Sequence, residues 1–198
     1  MSAPLPPQPQ LPPTIDLDGA RLRPLRQADA AALLAYLQDP AVTELTSYPV
    51  VSAALVEGMI ERAASRWAAG ELSRWGVALG DEDELVGTCG FNEWSEVHGR
   101  AELAFDLSRA HWGKGVMRRA VVAVLEWACR QERVNRVQAF VRVDNERSRR
   151  LLERCGLVRE GCLRGYRVCR GEPHDFYVYG LLRSDRGVAQ ASVRARTG

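Results

Sequence analysis

Arg109-Ala-His-Trp-Gly-Lys-Gly-Val-Met-Arg-Arg119 sits between two contrasting patterns. Before it, Ala101, Leu103, Phe105 and Leu107 alternate with Glu102, Ala104 and Asp106, as a half-buried strand does. After it, Met117 to Arg130 follows helical spacing. A strand feeding a Gly-rich turn into a helix start is a way to hold phosphate with backbone N–H groups. The charges point the same way. Lys114, Arg118 and Arg119 stand at a helix N-terminus, where each cation costs roughly 0.3–1 kcal/mol against the macrodipole. An anion seated among them would remove that cost. A plain surface turn with solvated basic residues is the alternative.

Composition sets the frame. The chain has 198 residues, 46% hydrophobic and 26% charged, enough for one well-buried core. Its net charge of +2 gives no reason to expect nucleic acid or a membrane surface as partner. The Arg-rich stretch 147–154 alternates with acids and apolar residues and lacks the interleaved aromatics of a nucleic-acid face. Five cysteines (Cys89, Cys129, Cys155, Cys162, Cys169) show neither CxxC nor zinc spacing. They read as reduced thiols, and no metal site is expected. No apolar run approaches the ~20 residues of a membrane span. The Pro-rich start has no signal-peptide pattern. Together these features point to a soluble cytoplasmic protein.

Elements follow from periodicity. Residues 1–14 read as a disordered Pro-rich arm, 15–183 as one domain and 184–198 as a flexible tail. Ala20 to Leu25 reads as a first strand. Asp29 is positioned to cap a helix burying Leu33, Leu34 and Leu37 and stopping at Pro40. Ser52 caps a second helix with Leu55, Met59, Ala63 and Trp67 on its inner face, ended by Gly70. Strands over Trp75–Leu79, Leu85–Trp94 and Ala101–Leu107 form a meander. Helix Met117–Arg130, strand Arg136–Val143, a helix begun by Asp144-Asn145 and closed by Gly156, and strands Val158–Val168 and Phe176–Leu182 complete the set. This predicts a mixed α/β (α+β) domain around one sheet, with about seven strands and about four helices.

Common nucleotide motifs fail. The glycines do not fit GxxxxGK[ST], and Arg118 occupies the third glycine position of GxGxxG. The turn Trp112-Gly113-Lys114-Gly115-Val116-Met117 instead resembles the Q/R-x-x-G-x-G/A pyrophosphate loop of the GCN5-related N-acetyltransferases (GNAT). Gly115 matches, while Trp112 and Met117 depart from it. The form W-G-K-G-x-M is similar to the RimJ/RimL branch, which acetylates ribosomal-protein N-termini. Asn145-Glu-Arg-Ser148-Arg-Arg-Leu151-Leu152-Glu-Arg-Cys-Gly156-Leu157 resembles the family's N-x-x-[AS]-x-x-[LF]-Y-x-x-x-G-F. The ending Gly171 to Leu181 and the opening Leu22-Arg23-Pro24-Leu25 with Asp29 fit that branch as well. The resemblance spans about residues 15–183 and implies a mostly antiparallel twisted sheet.

The resemblance implies acetyl-CoA as co-substrate and no metal. Backbone N–H groups of Gly113 to Arg118, with Lys114, Arg118 and Arg119 adding charge, would grip its pyrophosphate. Trp112, Gly113, Lys114, Gly115, Val116, Met117 and Arg118 are the loop's cofactor-binding candidates. Phe105, Asp106 and Leu107 match the strand whose backbone pairs with the pantetheine arm, and their side chains are equally candidates for the core. Asn145 would bond the same arm, or cap its helix, or both. Ser148 is the candidate proton donor to the leaving thiolate, because Leu152 replaces the Tyr of many relatives. Glu102 is the candidate base, acting through water, with His174 as the other candidate. The strand Leu163-Arg-Gly-Tyr-Arg167 lacks the glutamate that the RimL-like branch uses there.

An N-terminal α-amine, with a pKa of about 7.7–8.0, asks less of a base than a lysine at about 10.4. The expected acceptor is therefore the α-amine of a protein, ribosomal in the leading case. Two alternatives stay open: a small amine (antibiotic, polyamine or amino acid) as acceptor, and an acyl-CoA-binding module without catalysis. Thr46, Ser47, Tyr48, Trp94 and Tyr166 fall on the acceptor side without defining it. Oligomeric state stays open, a homodimer among the options.

Overall fold

The computed structural model describes residues 12–185. The expected N-terminal arm and C-terminal tail lie almost wholly outside them. Eight strands form one sheet in the order β1-β2-β3-β4-β5-β6-β8-β7. They are β1 Ile15–Leu17, β2 Ala20–Arg23, β3 Arg74–Leu79, β4 Glu84–Ser95, β5 Arg100–Leu107, β6 Arg136–Arg142, β7 Val158–Cys169 and β8 Glu172–Leu182. Five helices accompany them: α1 Ala30–Leu37, α2 Pro40–Thr43, α3 Ala53–Ala68, α4 Val116–Arg130 and α5 Glu146–Arg154. Every strand pair is antiparallel except β5–β6.

Leu85 and Val86 are consecutive on β4, so their side chains leave opposite faces. Val86 joins the main core, built from the sheet, α4 and Leu152 of α5. Leu85 joins a smaller cluster with Leu33 and Leu37 of α1, Val42 of α2, and Val56 and Ile60 of α3. Helices thus cover both faces. Trp67, Trp75 and Trp127 meet edge-to-face with centroids 4.6–5.7 Å apart. That geometry suits the aromatic quadrupole.

Several expectations need correction. The eighth strand is β1, three residues that alternation cannot reveal, and the fifth helix is the single turn α2 with Pro40 at its start. Pro40 starts a helix here because its fixed φ suits the first turn. Asp29 does not cap α1. Its carboxylate takes Arg23 at 2.8 Å on each oxygen and the Arg26 N–H at 2.7 Å, which ties down a 3₁₀ turn ahead of the helix. Ser52 caps α3 as its sequence signals, accepting from the Leu55 N–H at 3.2 Å. The buried face of α3 is Val56, Ile60, Ala63 and Trp67, so Leu55 and Met59 are turned half toward a cleft. Leu34 is likewise half-buried. Glu102 and Asp106 alternate with the apolar residues of β5, yet each is 6% exposed: Arg167 of β7 meets Glu102, and Tyr36 of α1 and Tyr48 after α2 meet Asp106.

Candidate active site

The parallel pairing of β5 with β6 covers only Arg100–Glu102 against Arg136–Gln138. Beyond Glu102, β5 pairs with β4 alone, and beyond Gln138, β6 pairs with β8 alone. The two inner strands therefore splay, leaving unpaired backbone edges that face each other. A cavity of about 600 Å³ opens there. Glu102 to Phe105 and Ala139 to Arg142 form its inner walls, and α3, the segment 45–49, Asn145 and Ser148 close around it.

The loop 113–118 turns its backbone donors outward. Gly113 and Gly115 take φ of +75° and +74°, the left-handed region that side chains other than glycine's resist. Gly115 forms the N-cap of α4 without a side-chain cap, and the first helical bond is Arg119 N–H to the Gly115 carbonyl at 3.1 Å. The N–H groups of Gly113, Lys114, Gly115, Val116, Met117 and Arg118 have no hydrogen-bond acceptor among the described residues. Gly113, Lys114, Gly115 and Arg118 are exposed, whereas Val116 and Met117 are buried in the core. Unpaired donors, a helix dipole and the chain's single lysine, Lys114, thus share one turn.

Trp112 also fastens the loop to the core. Its indole N–H donates to the Leu107 carbonyl at 2.8 Å, and its ring packs against both apolar clusters. The Arg147 guanidinium lies 3.3 Å from the ring centroid. Removal from water pulls the Arg147 pKa below its ordinary value. Trp112 therefore ties the end of β5 to the first turn of α5.

Asn145 caps α5, accepting from the Ser148 N–H at 3.1 Å, and is buried. Ser148 lines the cleft half-buried, with its hydroxyl bonded to nothing among the described residues. Glu102 sits at the last rung of the β5–β6 pairing, at the floor of the opening. Arg167 of β7 reaches its Oε1 at 3.1 Å. Burial works against the Arg167 charge, but the Glu102 carboxylate outweighs it and holds the guanidinium above its ordinary pKa. Ser148, Asn145 and Glu102 thus come together in one cleft. His174 does not join them: it pairs with Arg167 across the β7–β8 hairpin, outside the cleft lining. Trp94 and Tyr166 also lie outside the lining, under Arg133 and on Phe140 respectively.

The Asp106 carboxylate is the hub of a buried network that the sequence did not reveal. Oδ1 accepts from Tyr36 Oη at 2.5 Å and the Thr88 N–H at 3.1 Å. Oδ2 accepts from Arg74 Nη1 at 2.7 Å, and from Tyr48 Oη and Thr88 Oγ1 at 2.8 Å. Burial and the Asp106 charge raise the Tyr36 pKa well above 10.0, and burial raises that of Tyr48. Burial opposes the Arg74 charge, and the Tyr48 and Asp106 oxygens overcome it, so the guanidinium stays ionised. Arg74 then holds Asn92 Oδ1 at 2.7 and 2.9 Å. Asn92 is the extra residue where β4 bulges against β5, between Phe91 and Glu93. The bulge aims it into the cleft. Tyr36, Arg74 and Thr88 carry no local signal, since Tyr36 and Arg74 lie 70 and 32 residues from Asp106.

Comparison with known proteins gives this architecture its class. The family profile described as an acetyltransferase (GNAT) domain matches residues 20–158. The N-acetyltransferase p20 of Bacillus licheniformis, itself uncharacterized, is 32% identical over 173 residues, covering 87% of this chain and 97% of that protein. The ribosomal-protein-serine acetyltransferase of Escherichia coli (strain K12) is 32% identical over 101 residues, covering 51% of this chain and 56% of its own. The solved structure of RimL, a ribosomal L7/L12 α-N-protein acetyltransferase in complex with coenzyme A, superposes with a TM-score of 0.78. At 19% identity over 86% of this chain and 98% of that one, it shows the shared fold. The chain belongs to the GNAT acetyltransferase family and is an N-acetyltransferase, which sets aside the reading of a binding module without catalysis. No helix among the described residues is long and apolar enough to cross a membrane.

Proposed function

We propose that the protein transfers the acetyl group of acetyl-CoA to the N-terminal α-amine of a protein, with ribosomal proteins as the leading class, in the cytoplasm. The observation that carries this reading is the acid–base poverty of the cleft. Glu102 is the one carboxylate in its lining, and Arg167 already holds it. A site so equipped suits an amine that is partly neutral at pH 7 more than one with a pKa of about 10.4. The ribosomal relatives at 29–32% identity support the same acceptor class.

Acetyl-CoA supplies an activated thioester. The free N–H groups of Gly113 to Arg118 bind its pyrophosphate, with Lys114 and Arg118 adding charge. The unpaired edge of Phe105–Leu107 pairs with the pantetheine arm, and the Asn145 side chain, beside the same opening, contributes a polar contact. The Ser148 Oγ–H gives its proton to the departing sulfur. The Glu102 carboxylate takes the amine proton through a water, and Arg167 orients it. Such acid–base assistance is worth about 10²–10⁴-fold.

The test is thiol release from acetyl-CoA with peptides that begin with Ser or Ala, alongside N-blocked controls and a small-amine panel. Free N-termini should be acetylated and blocked ones not. A small amine or a lysine side chain turned over with higher kcat/KM than every free N-terminus refutes the reading.

A further inference from the structure

The charges on the cleft wall are lopsided. Arg62, Arg66, Arg74, Arg142 and Arg167 line it, against Glu102 alone. Four of the arginines are already engaged. Arg66 meets Glu71 at 3.1 Å and the Asn92 carbonyl at 2.5 Å. Arg74 meets Asp106, Arg142 meets Asp144 and Arg167 meets Glu102. Apart from Glu102, their carboxylates stand outside the lining, so the wall itself presents guanidinium.

Arg62 differs from the others. It has no ion pair or hydrogen bond among the described residues, and its Nη1 folds back over Gly58 on its own helix. Leu55, Met59, Arg62 and Arg66 recur at helical spacing and form one stripe of α3 facing the cavity. That stripe runs from apolar to basic, and Arg62 is its free cation. A cleft with low-dielectric walls focuses such a field onto whatever enters.

We infer that the acceptor carries negative charge close to its amine, as an acidic peptide N-terminus does, and that Arg62 reads that charge. This rests on the α-amine acceptor proposed above. Polycationic amines are disfavoured by the same wall, because the one carboxylate they would meet is held by Arg167. Arg62 is a specificity-determining residue here: its guanidinium meets a carboxylate one or a few residues beyond the amine.

The test uses the full chain, acetyl-CoA and matched peptides beginning with Ser, with Asp, Asn or Lys at positions two to four. Glutamate, its amide glutamine and spermidine form a small-amine arm. The expected order of kcat/KM is Asp over Asn over Lys, with an Asp-to-Asn ratio of about tenfold that shrinks as salt rises. Arg62→Gln should bring that ratio toward one, and Arg62→Glu should turn the preference toward Lys. Arg130→Gln, an exposed arginine outside the lining, should leave the ratio intact. Equal kcat/KM for the three peptides, or an Arg62→Glu enzyme with unchanged preference, overturns the inference and leaves the α-amine reading standing. Inert peptides beside a reactive small amine reject the α-amine reading instead. In that case, faster acetylation of glutamate than of glutamine and spermidine supports the charge selection, and the reverse order overturns it. Thiol release from no acceptor overturns both.

Discussion

Asp106→Asn isolates what the buried network contributes. The two residues have nearly the same shape, so the change removes a charge and half of the acceptor capacity without opening a cavity. Asp106 accepts five hydrogen bonds through two oxygens. An asparagine that keeps its carbonyl toward Tyr36 and the Thr88 N–H turns an NH₂ group toward Arg74, Tyr48 and Thr88. The hydroxyls can rotate to accept from it. Arg74 cannot, and its side chain, 13% exposed, is left as an uncompensated charge. Breaking one partner of a buried ion pair costs about 3–5 kcal/mol. For a chain of this size 1 kcal/mol shifts the melting temperature by roughly 2–4 °C. Thermal unfolding at neutral pH, followed by circular dichroism, should therefore drop by about 6–20 °C. Adding Arg74→Met to Asp106→Asn should recover part of the loss, because the stranded charge goes with it. A loss of less than about 1 kcal/mol for Asp106→Asn refutes the idea that this carboxylate holds the wall together.

The same network sets the alkaline limit of stability. Folded Tyr36 and Tyr48 keep their protons above pH 10.0, where the unfolded chain releases them, so stability is full below that pH and falls as pH rises through it. Each tyrosine contributes up to about 1.4 kcal/mol per pH unit to that slope, and between pH 10 and 11, where the unfolded tyrosine is only partly ionised, denaturant titrations of Tyr36→Phe and Tyr48→Phe should each show a slope lower by about 1 kcal/mol per pH unit. Lys114→Gln should weaken CoA binding about five- to tenfold at low ionic strength, measured by calorimetry, and the difference should narrow at high salt, because screening weakens the lost contact. Ser148→Ala should lower kcat by about 10²–10⁴-fold while CoA affinity holds; an unchanged kcat would remove Ser148 from the proton path. Gly115→Ala should cost roughly 1–2 kcal/mol from its left-handed backbone, seen as a lower melting temperature or weaker CoA binding.

Much of the fold was legible because it is written in local periodicity. The alternation of Ala101 to Leu107, the helical spacing after Gly115 and the Ser52 cap each act within a few residues, and each appears in the structure. Short elements without a full period, such as β1 and α2, escaped that reading. So did the orientation of α3: Leu55 and Met59 are as apolar as Val56 and Ile60, and only the partner surface decides which pair is buried.

The sequence alone determined the family, the glycine turn that opens α4 and the grouping of Asn145 with Ser148, because backbone conformation and helix starts are set by neighbouring residues. The tertiary structure alone decided what the charged side chains do. Glu102 and Asp106 look alike on an alternating strand. Their different roles come from Arg167, reaching in from β7, and from Tyr36, Tyr48, Arg74 and Thr88, gathered from α1, the segment after α2, β3 and β4. Burial makes such charges costly unless they are paired, and pairing partners so distant in sequence meet only once the sheet has formed.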